Sequence, residues 1–130
     1  MKLDFLVLRH YPLVEGPSMR FFADLIINGL RSRGYSVSSL TAPVFLGRIF
    51  TRNNPLSKWL GYLDQFIIFP VILRWRLHQL ARPPLVILCD QALGPLMFVI
   101  HGHPHVVHCH DFLALDASLG HLSEHRPAIT

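Results

Sequence analysis

The stretch Leu3-Asp4-Phe5-Leu6-Val7-Leu8, closed by Arg9-His10-Tyr11-Pro12, decides how the rest of the chain is read. A short, almost continuously apolar run that ends at a turn signal reads as a strand buried on both faces, the kind found in parallel sheets. The loop through Glu15, Gly16 and Pro17 then gives way to a helical pattern. Phe22, Ile26 and Leu30 recur at i, i+4 and i+8, with Phe21 and Leu25 expected on the same side. Ser18 is the expected N-cap, Arg31 and Arg33 suit the negative C-terminal end, and Gly34 is the expected left-handed stop. Strand, loop and helix open a βαβ unit.

Further along, the same alternation continues. Tyr35 to Leu40 reads as a second, weaker strand, and Phe45 to Asn54 has no clear pattern. A long helical stretch runs from Leu56 to about Leu80, with a kink or break expected at Pro70. Leu85 to Cys89 is a third buried strand, Val106 to Cys109 a fourth, and Phe112 to Leu119 a short helix. Arg126 to Thr130 reads as the first residues of a fifth strand, which suggests a fragment of a larger protein with an unpaired sheet edge. The expected fold class is α/β, a Rossmann-like parallel sheet with flanking helices.

Composition bounds the rest. The 130 residues are 51% hydrophobic and 15% charged, too apolar for a disordered tail and enough for one compact domain. Twelve Lys and Arg against eight Asp and Glu give +4 with histidine neutral. The basic residues are scattered, so the bias favours phosphates or acidic lipid surfaces over nucleic acid. Cys89 and Cys109 match no zinc or redox spacing and read as small core residues in a reduced, cytoplasmic protein. No targeting signal is expected, since Asp4 and Arg9 interrupt the short apolar run at the start. The most apolar stretch, Leu60 to Leu77, contains Asp64, Arg74 and Arg76 and does not read as a membrane span. The set Trp59, Phe66, Phe69, Arg74, Trp75 and Arg76 reads either as an interfacial membrane face or as packing against the sheet or a partner.

In open α/β sheets, ligands bind beyond the carboxyl ends of the strands, near the point where strand order reverses. The loops after strands one and four, usual neighbours there, are the expected cleft. Gly16 precedes a helix N-terminus, where backbone N–H groups favour a phosphate; a glycine there also serves turn geometry. Neither a dinucleotide fingerprint nor a P-loop is present. His108 and His110 fall at i and i+2 of the fourth strand and share a face. They read as metal ligands, as a base at the strand end, or, for His108, as a core residue. His101, His103 and His105 read as a solvated turn. Asp90-Gln91 occupies the equivalent place after strand three, where a helix cap is the simpler role.

Taken together, these segments resemble the N-terminal part of a family 4 (group 1) glycosyltransferase. The resemblance rests on the loop ending in Glu15-Gly16-Pro17-Ser18, on "RSRGYSVSSLT" (31–41), on "PHVVHCHDFLAL" (104–115) and on "RPAIT" (126–130). It implies a GT-B architecture, with residues 1–130 as a partial, acceptor-side domain and the donor domain absent. It also implies sugar transfer from a nucleotide-diphosphate sugar to an acceptor, with no bound metal ion or other cofactor. By the resemblance, His110 is catalytic, and Gly16, Ser18, His108 and Asp111 bind substrate. Pro17 departs from the family's second glycine and removes one N–H donor. The isolated chain is expected to be inactive. The competing readings are a metal-dependent hydrolase using His108 and His110, and a non-catalytic Rossmann-like binding module; peripheral membrane contact is compatible with each.

Overall fold

The computed structural model describes residues 4–13, 16–49, 55–109 and 119–120. Four strands, β1 (Asp4–Leu8), β2 (Ser36–Leu40), β3 (Leu85–Leu88) and β4 (His105–Val107), form one parallel sheet in the order β2-β1-β3-β4. Between them lie α1 (Pro17–Ser32), α2 (Pro55–Leu63), α3 (Phe69–Gln79) and the short α4 (Met97–Ile100). The protein is therefore an α/β fold with a Rossmann-like parallel sheet flanked by helices.

The two central strands are the ones whose apolar runs are unbroken, because both of their faces are covered. Leu6 and Leu8 point into one core with Val86, Leu88, Phe69, Leu73 and Leu77. Val7, one position out of phase, packs on the other face with Ala23, Ile27 and Cys89. Thus α1 covers one face and α3 the other. Each fully buried Leu or Phe contributes roughly 1.5–3 kcal/mol, so Leu88→Ala is expected to cost about 2–5 kcal/mol. The outer strands are more open. Three of the five β2 residues are exposed, and Val106 of β4 is 53% exposed. The fourth strand, expected at Val106 to Cys109, runs from His105 to Val107 and pairs with β3 alone among the described residues.

Helix α1 begins two residues before the expected start, at Pro17. Its N-cap is Gly16, in extended conformation (φ −73°, ψ 161°), with Pro17 in the first turn and no side-chain cap. Proline's fixed φ suits the first helical position, where its missing N–H has no intrahelical partner in any case. Ser18 thus lies inside the helix and is exposed. The helix ends as read, with Gly34 at φ +80°. Its buried stripe, however, is centred on Ala23 and Ile27, flanked by Phe22 and Ile26. Phe21 (69% exposed) and Leu25 lie outside it.

The break at Pro70 takes the form of a π turn, Asp64–Ile68, that joins α2 to α3 without ending the helix. The N–H of Phe69 donates to the Asp64 carbonyl, an i→i−5 bond. Proline has no N–H to continue the α-helical ladder, and a wider turn accommodates the gap. Asp64 is fully buried there. Its carboxylate accepts the Tyr11 hydroxyl at 2.8 Å and the amides of Leu46 and Gly47 at 3.0–3.1 Å. Leu46 and Gly47 belong to a 3₁₀ turn, Leu46–Arg48, in the segment without a sequence pattern. Among the described residues no helix is long and apolar enough to cross a membrane. The expected fifth strand and the helix at 112–119 fall outside the described residues, apart from the turn at 119–120.

Candidate functional site

The strand order places the reversal point between β1 and β3. The crossover from β1 leads to β2 on one side, and the next crossover returns to β3 on the other, with helices on opposite faces. The pairing of strands one and four expected from the sequence is thus replaced by β1 beside β3, with β4 one strand further out. The crevice that this topology leaves for a ligand lies beyond Leu8 and Leu88.

Two polar residues meet there. His10, just past β1, and Asp90, just past β3, are both buried, and His10 Nδ1 lies 3.0 Å from Asp90 Oδ2. The atoms are at ion-pair distance without the straight alignment of a hydrogen bond. Asp90 also caps the following 3₁₀ turn, its Oδ1 accepting the Ala92 amide at 3.3 Å. The cap role read for Asp90 is therefore present, but the same carboxylate faces an imidazole as well. His10 is anchored from behind by Thr41 Oγ1, which donates to the His10 carbonyl at 3.0 Å, so the loops after three strands converge on this residue. An imidazole oriented by a carboxylate is the arrangement that general acid–base chemistry uses. His10 was not among the candidates from sequence; its only signal was a polar side chain two positions past a buried strand.

Around this pair the rim carries the other candidates. Gly16 stands at the N-terminus of α1, with no described atom within 4 Å of the place a Cβ would occupy and with φ negative. Neither turn geometry nor packing demands a glycine there. Ser18 is exposed on the first turn of the same helix. Arg9 pairs with Asp24 of α1 at 2.9 Å.

His108 lies just beyond β4, its amide donating to the Leu88 carbonyl at 2.8 Å. It is half-buried, its ring stacked on Phe22 of α1 with centroids 3.9 Å apart. It is therefore a packed ring at the rim, one residue past the end of β4 at Val107. Cys109 is exposed, against the expectation of a core residue, because it too lies past the strand; Cys89 is buried as read. His110 and Asp111 lie outside the described residues. Of the turn histidines, His101 is exposed, whereas His103 and His105 are half-buried. Among the described residues, no three His, Cys, Asp or Glu side chains are grouped to hold a metal ion.

Beside the rim, the Tyr11–Asp64 node fixes the π turn to the end of β1. Burial, then the hydrogen bond to Asp64 and its negative charge, raise the Tyr11 phenol well above its ordinary value, so it stays protonated as a donor. In comparisons with known proteins, the chain matches no family model, no curated protein and no solved structure.

Proposed function

We propose that residues 1–130 form the acceptor-side domain of a GT-B glycosyltransferase, which moves a sugar from a nucleotide-diphosphate sugar to an acceptor. The observation that carries this reading is that α1, which starts at Gly16 on the carboxyl side of the sheet, is held by the Phe22–His108 stack against the residue that follows β4. Sugar transfer breaks the bond between the anomeric carbon and the diphosphate oxygen and forms one to an acceptor oxygen. The departing diphosphate needs positive stabilisation in a dry site. In this reading the amides of the first turn of α1 approach the diphosphate, and the absence of a side chain at Gly16 leaves room for it. Ser18 lies on the same turn as a hydroxyl donor. By the family resemblance, His110 is the catalytic residue at the transferred sugar and Asp111 binds substrate, with His108 in a supporting role. The His10–Asp90 pair adds a proton-transfer group at the reversal point.

One rim supplies one wall of such a cleft, so turnover requires a second, donor-side wall. The test is a nucleotide-sugar turnover assay on the 130-residue chain and on a polypeptide that extends it. No appreciable turnover is expected from the shorter chain. In the longer one, His110→Ala is expected to lower turnover by at least about 100-fold, the scale of a general acid–base group. Equal activity in both lengths, or an unaffected His110→Ala variant, overturns the proposal.

A further inference from the structure

The outer face of the α2–α3 arm is apolar where a water-facing helix is normally polar. Trp59, Tyr62, Phe66, Ile67, Val71 and Trp75 are all exposed and recur at mostly three- and four-residue intervals. Trp59 meets Tyr62 edge-on at 6.2 Å, and Tyr62 stacks on Phe66 at 6.0 Å. The opposite side of the arm, Phe69, Leu73 and Leu77, is already buried against the sheet. The exposed side is therefore not a displaced core face. A contiguous apolar surface of this kind marks a contact.

Charge decides what covers it. Between Pro55 and Gln79 the only acidic residue is Asp64, which is fully buried and satisfied by Tyr11 and two amides. Lys58, Arg74 and Arg76 are exposed. Arg74 and His78 follow Val71 three and seven residues on, the spacing of one helix face. Together with His101 and His103 they line a cleft of about 380 Å³ that contains no carboxylate. His103 Nδ1 is buried there without a hydrogen-bond partner. A second copy docked antiparallel on this face would set Lys58 against the Arg74 and Arg76 of the other arm, a repulsive contact. An anionic lipid surface satisfies both features, with the aromatic rings at headgroup depth and the cations among phosphates.

We propose that the α2–α3 arm lies in the plane of an anionic membrane surface, its aromatic face at the acyl boundary and a lipid phosphate in the Arg74–His78–His101–His103 cleft. This holds independently of the glycosyltransferase reading. The chain's two tryptophans, Trp59 and Trp75, are both on this face, so selectively excited tryptophan emission reports on it alone. The full chain is mixed with phosphatidylcholine vesicles with and without phosphatidylglycerol. A blue shift, and quenching by brominated acyl chains, are expected only with phosphatidylglycerol present. In flotation, Arg74→Gln and Arg76→Gln should each weaken binding about 5-fold, the worth of one cation near a charged leaflet. Phe66→Gln should abolish flotation while circular dichroism stays unchanged. No shift with phosphatidylglycerol vesicles overturns the proposal. So does a shift caused by inorganic phosphate alone, which assigns the cleft to a free anion. A concentration-dependent shift without vesicles also overturns it, since that assigns the face to a second copy.

Discussion

His10 and Asp90, far apart in sequence, face each other at 3.0 Å where β1 and β3 lie side by side. The contact exists because parallel pairing in register, Leu8 beside Leu88, brings the second residue after each strand to one depth. A buried imidazole and a buried carboxylate stabilise each other only while both are present. Asp90→Ala removes the partner of His10 and the cap of the following turn together. A loss of about 2–4 kcal/mol in urea denaturation is expected, and Asp90→Asn, which keeps an acceptor for Ala92, should lose less. A loss below about 0.5 kcal/mol from Asp90→Ala would show that the pair does not support the fold.

Gly47 sits where any side chain would run into the Tyr11 hydroxyl, with Leu13 and Asp64 next to it. Gly47→Ala should therefore push Tyr11 away from Asp64 and cost about 1–3 kcal/mol. Combined with Tyr11→Phe, which removes the clashing oxygen, the penalty should be smaller than the sum of the two single changes. Strict additivity in denaturant melts would show that the two positions do not touch.

Alkaline pH acts on the same node. Tyr11 keeps its proton in the folded protein above the pH at which an unfolded tyrosine ionises, near 10. The folded state then binds more protons than the unfolded state, so the stabilisation is complete below pH 10 and declines as pH rises beyond it. The slope approaches about 1.4 kcal/mol per pH unit. Tyr11→Phe should remove this component of the pH dependence in a denaturation series from pH 8 to 11, and an unchanged slope would refute the assignment.

Gly16 separates fold from function. Its backbone is extended and its surroundings are open, so Gly16→Ala should cost no more than about 1 kcal/mol, the preference for glycine over alanine at a helix N-cap. If a donor diphosphate approaches this amide, the same substitution should weaken nucleotide-sugar use by about 10-fold or more in a polypeptide that carries both walls of the cleft. A loss well above about 1 kcal/mol from Gly16→Ala would instead assign the glycine to packing.

Several elements were legible because one local rule governs them. β1 and β3 read as strands because burial on both faces leaves no polar position in Leu6 to Leu8 or Leu85 to Leu88. The end of α1 read correctly because Gly34 adopts a positive φ that other residues resist. The burial of α1 was misread because its contact with the sheet is centred on Ala23, a small residue that weighs little in an apolar pattern, while the conspicuous Phe21 points outward. Asp64 read as an argument against a membrane span and is instead a buried anchor. Its partners, 17 to 53 positions away, leave no trace in the local pattern.

For the site, Gly16 and Asp90 were located by their place after strands, whereas His10 was not, and His108 proved to be a packed ring. The order of residues alone determined an alternating α/β chain, its breaks at Pro70 and Gly34, and a cationic apolar arm, since periodicity, backbone freedom and charge are local properties. Only the tertiary structure decided that β3 lies beside β1, that His10 therefore meets Asp90, and which side of the arm is left open. Strand neighbours and helix faces are chosen by the packing of segments distant in the chain, and no local pattern encodes that choice.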